Sequence, residues 1–201
     1  PSNQLGSLSN GAYQNIPVQS VVGNVGDAEV DGYDLELKAL LSENFEIGFN
    51  MTDIQDAYVN AAQEYDDPRV PGGKVPSGLA QQSALPLFAD NSFYLYAEYS
   101  GMNAFGGLAG IRIQHSHVGE SLNQLTDGFT SPRLTQGDYD ITDAVITWEK
   151  GDWSAQLRFN NISDERGITY EDTTDFDTVW GRNSSAVIRP RNYALSIRHY
   201  F

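Results

Sequence analysis

The sequence predicts an all-β fold of antiparallel, up-and-down strands, and three observations carry that prediction. The first is composition: 40% hydrophobic and 11% aromatic residues, with 19 Gly and 8 Pro, are too apolar for a disordered chain and suit strands joined by many turns. The second is a period-two alternation of apolar and polar residues in several separate stretches, which gives each strand one greasy and one wet face. The third is an asymmetry of connections. Tight turns join the strands in pairs, and long polar loops separate the pairs.

Residues 1–15 stay unassigned, strand or loop, and a weak strand is expected from Ile16 to Val25. Tyr33, Leu35, Leu37, Ala39 and Leu41 then share one face against Asp34, Glu36 and Lys38. After the short turn "SEN", Phe45, Ile47, Phe49 and Met51 alternate with Glu46, Gly48, Asn50 and Thr52, which completes a hairpin. The stretch "DAYVNAAQEYDDPRVPGGKVPSG" holds Pro68, Pro71 and Pro76 with no sustained period, so it reads as a long loop. A second hairpin pairs Phe93, Leu95, Ala97 and Tyr99 with Ala109, Ile111 and Ile113 across "SGMNAFGG". The loop "GESLNQLTDGFTSPRLTQGD" leads to a third, in which Thr142, Ala144, Ile146 and Trp148 are followed by "EKGD" and by Trp153, Ala155, Leu157 and Phe159. An acidic loop and a closing strand from about Ala186 to Phe201 end the chain.

About eight strands result, with short turns at one end and long loops at the other, the pattern of a transmembrane β-barrel wall. Aromatics near strand ends, Tyr33, Phe45, Tyr99, Trp148, Trp153 and Phe201, suit an interfacial girdle. The charged face, with Asp34, Glu36, Lys38, Glu98, Arg112, Gln114, Gln156, Arg158 and Arg198, would line a wet lumen in a barrel and face solvent in a soluble sheet, so it decides nothing alone. A β-sandwich binding module and a complete small barrel of about eight strands therefore stand as alternatives.

The formal charge of -15, from 27 acidic against 12 basic residues, repels phosphate backbones and makes nucleic acid an unsuitable partner. The chain has no cysteine, so neither a disulfide framework nor a thiolate metal site is expected. No apolar run reaches the 18 or so residues of a membrane helix, and the N-terminus lacks the regions of a secretory signal. No nucleophile elbow, phosphate loop or HExxH motif occurs, so an enzyme is not expected. No cofactor and no metal site are expected either. His115 and His117 in "HSH" would share one strand face, but no third ligand is evident near them.

Four stretches together resemble the C-terminal part of the barrel of TonB-dependent receptors of the bacterial outer membrane. "NVGDAEVDGYDLELKALLSENFEIGFN" looks like a strand pair of that family with Gly32, Asp34 and Glu36 on the wet face. "YDITDAVITWEKGDWSAQLRFNNISDERGITY" looks like its penultimate hairpin, ending in Asn161 to Asp164 with Arg166 and Tyr170 beyond. "RPRNYALSIRHYF" is similar to its closing strand, and the Pro-rich loop before Ser92 matches an approach to another strand. The likeness covers roughly residues 16–201; His199, where the family has a large apolar residue, is a departure. Nothing here resembles the family's plug domain or energy-coupling box.

The resemblance implies a barrel of about 22 strands around a plugged lumen, and energy-coupled uptake of a scarce nutrient, most often an iron chelate. The implied partners are outer-membrane lipid, the TonB complex acting through a plug domain, the barrel-assembly machinery and a small-molecule ligand. The assembly machinery would read Tyr193, Leu195, Ile197 and the terminal Phe201. Among loop residues, Tyr58, Tyr65, Phe129, Phe176, Trp180 and Arg182 are the candidates for ligand contact, although such aromatics equally pack loops against one another. Asp164, Glu165, Glu171, Asp172, Asp175 and Asp177 form the acidic loop, either a solvated run or the lining of a vestibule for a cationic or metal-loaded ligand.

Overall fold

The computed structural model describes residues 4–9, 12–17, 26–61, 64–66, 72–76, 82–125, 132–173 and 184–201. Among them the chain is all β. The main sheet is carried by β3 (Gly26–Ser42), β4 (Phe45–Ala61), β8 (Asn91–Ala104), β9 (Gly107–Leu122), β10 (Thr135–Lys150), β11 (Trp153–Asn160), β12 (Ile168–Asp172), β13 (Ser184–Val187) and β14 (Asn192–His199), with the two-residue β7 (Ser83–Ala84) beside β4. Each long strand pairs antiparallel with the next, in the order β3-β4-β8-β9-β10-β11-β14. Beyond β11 the wall continues as β12 against β13, and Gly137 on β10 pairs with Ile168. The result is an up-and-down wall of seven staves, the last two each broken once.

The turns at one end are short: Glu43–Asn44, Phe105–Gly106 and Gly151–Asp152. Phe105 (φ 49°) and Gly106 (φ +73°) both adopt the left-handed region, which matches the right-handed twist of two strands joined by a two-residue turn. The expected hairpins are all present and longer than the alternation alone suggests. Alternation stops where both faces become polar, but the backbone ladder needs no greasy face, so β4 runs on to Ala61 inside the stretch read as loop.

Four further expectations change. Residues Gln4–Ser9 (β1) and Ala12–Pro17 (β2) form a separate two-stranded hairpin, so the weak strand from Ile16 overlaps β2 only at its end, and residues 18–25 lie outside the described residues. The Pro-rich loop holds a small hairpin of β5 (Glu64–Asp66) and β6 (Lys74–Pro76). The closing strand is interrupted between Val187 and Asn192, because Pro190 has no N–H for the ladder. The "acidic loop" is crossed by β12, which carries Glu171 and Asp172.

Register confirms two faces. Ala39, Ile47, Ala97, Ile113, Ala144, Phe159 and Tyr193 form one row across all seven staves, and Phe45, Tyr99, Ile111, Ile146, Leu157 and Leu195 form the next. Among the described residues no second layer covers these rows. Leu37 is 55%, Leu195 65% and Ile197 64% exposed, and the buried apolar residues among those described are only Val59, Ala109 and Ile188. A soluble sandwich of this size would bury such rows against a second sheet. Among the described residues β3 and β14 are the long edges, each paired on one side, so the wall is open and not the closed small barrel.

Candidate functional site

On the other face, side chains bond across the strands. Lys38 on β3 reaches Glu46 on β4 at 3.0 Å, and the Tyr96 hydroxyl of β8 donates to the same carboxylate at 2.7 Å. Arg112 on β9 donates to Glu98 at 3.0 Å and to the Tyr94 hydroxyl at 2.8 Å, while its guanidinium lies 3.9 Å from the Tyr96 ring centroid. Tyr94 donates to Gln114 at 3.0 Å, and Gln114 donates to Asp143 on β10 at 3.1 Å. A polar lattice thus spans five staves. Gly48 leaves room beneath it, since a Cβ there would overlap the Tyr96 ring. The sequence places Glu98, Arg112 and Gln114 on this face, but nothing in it marks the Gly48–Tyr96 fit, which depends on a pairing 48 residues apart in the chain.

Toward the long-connection end the staves stop alternating, and side chains hold backbone instead. The Asn161 backbone N–H donates to Asp143 at 2.8 Å; its side chain donates to the Glu165 and Arg189 carbonyls at 2.9 and 3.0 Å and accepts from the Glu165 N–H at 2.9 Å. Asp164 accepts from the Arg191 N–H at 3.0 Å, with the Arg191 guanidinium 3.6 Å away. Asn161 and Asp164 both sit in the left-handed region, which Asn and Asp tolerate better than most residues. The Asn-x-x-Asp motif therefore ties the break between β11 and β12 to the break between β13 and β14. Above it, a cleft of about 280 Å³ is lined by Glu120, Gln136, Asp138, Glu165 and Arg166, and a neighbouring one of about 280 Å³ by Ile54, Leu85, Phe88, Asp90 and Glu120.

Among the described residues, the candidate ligand and acidic residues are dispersed. Tyr58 lies on β4 past the apolar rows, half-buried, and donates to Glu29 at 2.8 Å. That bond first, then burial and the nearby acids, raises its phenol above the usual 10.0. Tyr65 falls in β5. Glu171 accepts from Ser185 at 2.8 Å, whereas Asp164 and Glu165 belong to the Asn161 bend. Phe129, Phe176, Trp180, Arg182, Asp175 and Asp177 lie outside the described residues.

Tyr193, Leu195 and Ile197 share the apolar face of β14, and Phe201 packs edge-on against His199 at 4.6 Å, which in turn lies 4.3 Å from Trp153. The departure at His199 thus keeps an aromatic ring between Trp153 and Phe201. His115 and His117 do share a strand face, and Asp140 on the neighbouring strand joins them, 3.2 and 3.1 Å away. Phe93 stacks over His117. No group of three or more such side chains among the described residues is arranged to hold a metal ion. A concavity of about 550 Å³ lies among Leu37, Ala39, Ile47, Phe49, Leu95 and Ala97 of the apolar rows, with Lys38, Gly48 and Tyr96 also in its lining.

No protein-family model matches the chain, and no curated protein matches it in sequence. Its all-β antiparallel fold is nevertheless similar to part of solved uptake receptors, in line with the resemblance to the TonB-dependent class. Three solved receptors share it. The ferric yersiniabactin uptake receptor FyuA from Yersinia pestis aligns with a TM-score of 0.66 and 17% identity over 89% of this chain and 24% of that one. The siderophore receptor PiuA from Acinetobacter baumannii aligns at 0.64 and 14% over 98% of this chain and 24% of that one. The ferric-catecholate import receptor Fiu from E. coli K12 aligns at 0.60 and 15% over 100% of this chain and 24% of that one. The chain thus spans about a quarter of the length of each receptor.

Proposed function

We propose that this chain is barrel wall of a TonB-dependent receptor in the bacterial outer membrane, serving energy-coupled uptake of an iron chelate. The observation that carries the proposal is the seven-stave wall with one uncovered apolar face and one internally bonded polar face. A lipid-facing band opposite a wet lumen accounts for both. Likeness in fold to three siderophore receptors supports the nutrient class. Coupling to TonB would run through a plug domain, which nothing in these 201 residues resembles. The surface for ligand would be the clefts and loops at the long-connection end, and the role of this wall there is binding rather than catalysis.

The test uses the full-length protein. Extraction from outer membranes only with detergent, a band that shifts on heating in gel electrophoresis, and TonB-dependent accumulation of radioactive iron from a ferric catecholate are expected. Recovery in the soluble fraction, or uptake unchanged when the gene is deleted, would overturn the proposal.

A further inference from the structure

Asn123 follows the last residue of β9, and Thr173 follows the last residue of β12; they are 6% and 2% exposed. The Asn123 N–H donates to the Leu134 carbonyl at 3.0 Å, but the return bond, from the Leu134 N–H, goes to the Asn123 side-chain oxygen at 2.7 Å. The side chain thus replaces a main-chain carbonyl in the β9–β10 ladder and lets the chain leave the sheet there with its partner satisfied. The amide nitrogen of the same side chain donates to the Glu171 carbonyl at 3.2 Å and to the Thr173 hydroxyl at 3.1 Å. Thr173 donates onward to the Pro132 carbonyl at 2.9 Å, and the Glu171 N–H donates to buried Gln136 at 2.8 Å. Glu171 also accepts from Ser185 on β13. No buried polar side-chain atom among the described residues is left without a partner, so the cluster is a closed network.

We infer that Asn123 and Thr173 clamp the roots of two outer connections, β9 to β10 and β12 to β13, into one mechanical unit, so that displacement of either moves both. They are positioning residues. Segments that leave a sheet normally open independently, at low free energy; here three of them, at Asn123, 132–134 and 171–173, share the donors and acceptors of two side chains. The consequence for ligand binding rests on the proposed receptor function. The clamp itself does not, and its test needs no ligand.

Amide hydrogen exchange on the full-length protein in detergent micelles reads it directly. Thr173→Val keeps the shape and removes the hydroxyl. Peptides 119–125, 132–136 and 168–173 are expected to lose protection together, each exchanging at least about tenfold faster, because the hydroxyl's two hydrogen bonds, to Asn123 and Pro132, are lost, while Thr173→Ser leaves them protected. Exchange that rises only in 168–173, or a Ser variant as labile as the Val variant, would overturn the clamp. If the Val variant fails to fold, judged by loss of heat-modifiable migration, Gln136→Met removes the acceptor for the Glu171 amide. It should loosen 132–136 and 168–173 together, and loosening of one alone counts equally against the inference.

Discussion

The wall near its short turns and the wall near its long connections are held by different means. Near the turns, the β10–β11 and β11–β14 ladders run in continuous register from Ala144↔Phe159 to Lys150↔Trp153 and from Phe159↔Tyr193 to Trp153↔His199, and β3–β4 and β8–β9 shift register only between Leu40 and Ser42 and between Tyr99 and Met102, so backbone groups largely satisfy one another and side chains choose a face. Near the long connections, all four buried polar residues among those described, Asn123, Gln136, Asn161 and Thr173, bond to backbone. The positive-φ positions Leu87, Asp138, Asn161 and Asp164 lie there too. Where a ladder ends or bends, its orphaned N–H and C=O groups need other partners, and short polar side chains provide them. The lower wall is thus robust to single polar changes, and the upper wall depends on a few residues.

The largest effect expected is for Asn161→Ala. It strands the Glu165 N–H and the Glu165 and Arg189 carbonyls, a loss of about 3 kcal/mol when buried polar groups go unpaired. Urea unfolding in lipid vesicles should record it, with exchange rising first in residues 161–167; uniform loosening of the whole wall would erase the distinction between its two halves. Next is Gly48→Val in the lower wall, where the new side chain must displace the Tyr96 ring. Overpacking of that kind costs about 1–3 kcal/mol, and the same titration should show it with strand pairing retained.

A smaller effect, under about 1 kcal/mol, is expected for Arg112→Lys, because the pair with Glu98 is partly exposed. A loss as large as that at Asn161 would mean that the polar lattice, and not the ladder, holds the lower wall. The smallest concerns pH. The Tyr58 phenol is raised by its bond to Glu29, so the folded state holds that proton more tightly than the unfolded one. Its contribution is complete below about pH 10, the unfolded value, and is lost as pH rises through the raised folded value. Thermal unfolding measured from about pH 9 to 11.5 should fall less steeply for Tyr58→Phe than for the native protein. Parallel curves would show that Glu29 does not hold the phenol.

Much of the lower wall was legible in the residues themselves. The runs 33–41, 45–51, 93–99, 109–113, 142–148 and 153–159 have period two, and register sets their apolar members side by side. The upper wall was not legible in the same way. Asn123 and Thr173 sit 50 residues apart in the chain, and neither belongs to an alternating run. The Asn-x-x-Asp motif was visible, but its work, joining β11–β12 to β13–β14 through Arg189 and Arg191, required the fold. The clefts share Glu120 and Thr135 with segments that are distant in sequence, so their lining could not be read from any one stretch of the chain.

By itself the sequence determined the alternating centre of each long strand, which face each residue presents there, and that one end carries short turns, because these follow from local alternation and turn chemistry. Tertiary structure alone decided that the apolar rows align across seven staves and stay uncovered, that Tyr96 lies over Gly48, and that Asn123 and Asn161 bind backbone from other strands. Those outcomes depend on which strands pair and in what register, and a one-residue slip would turn every face over without changing a single residue.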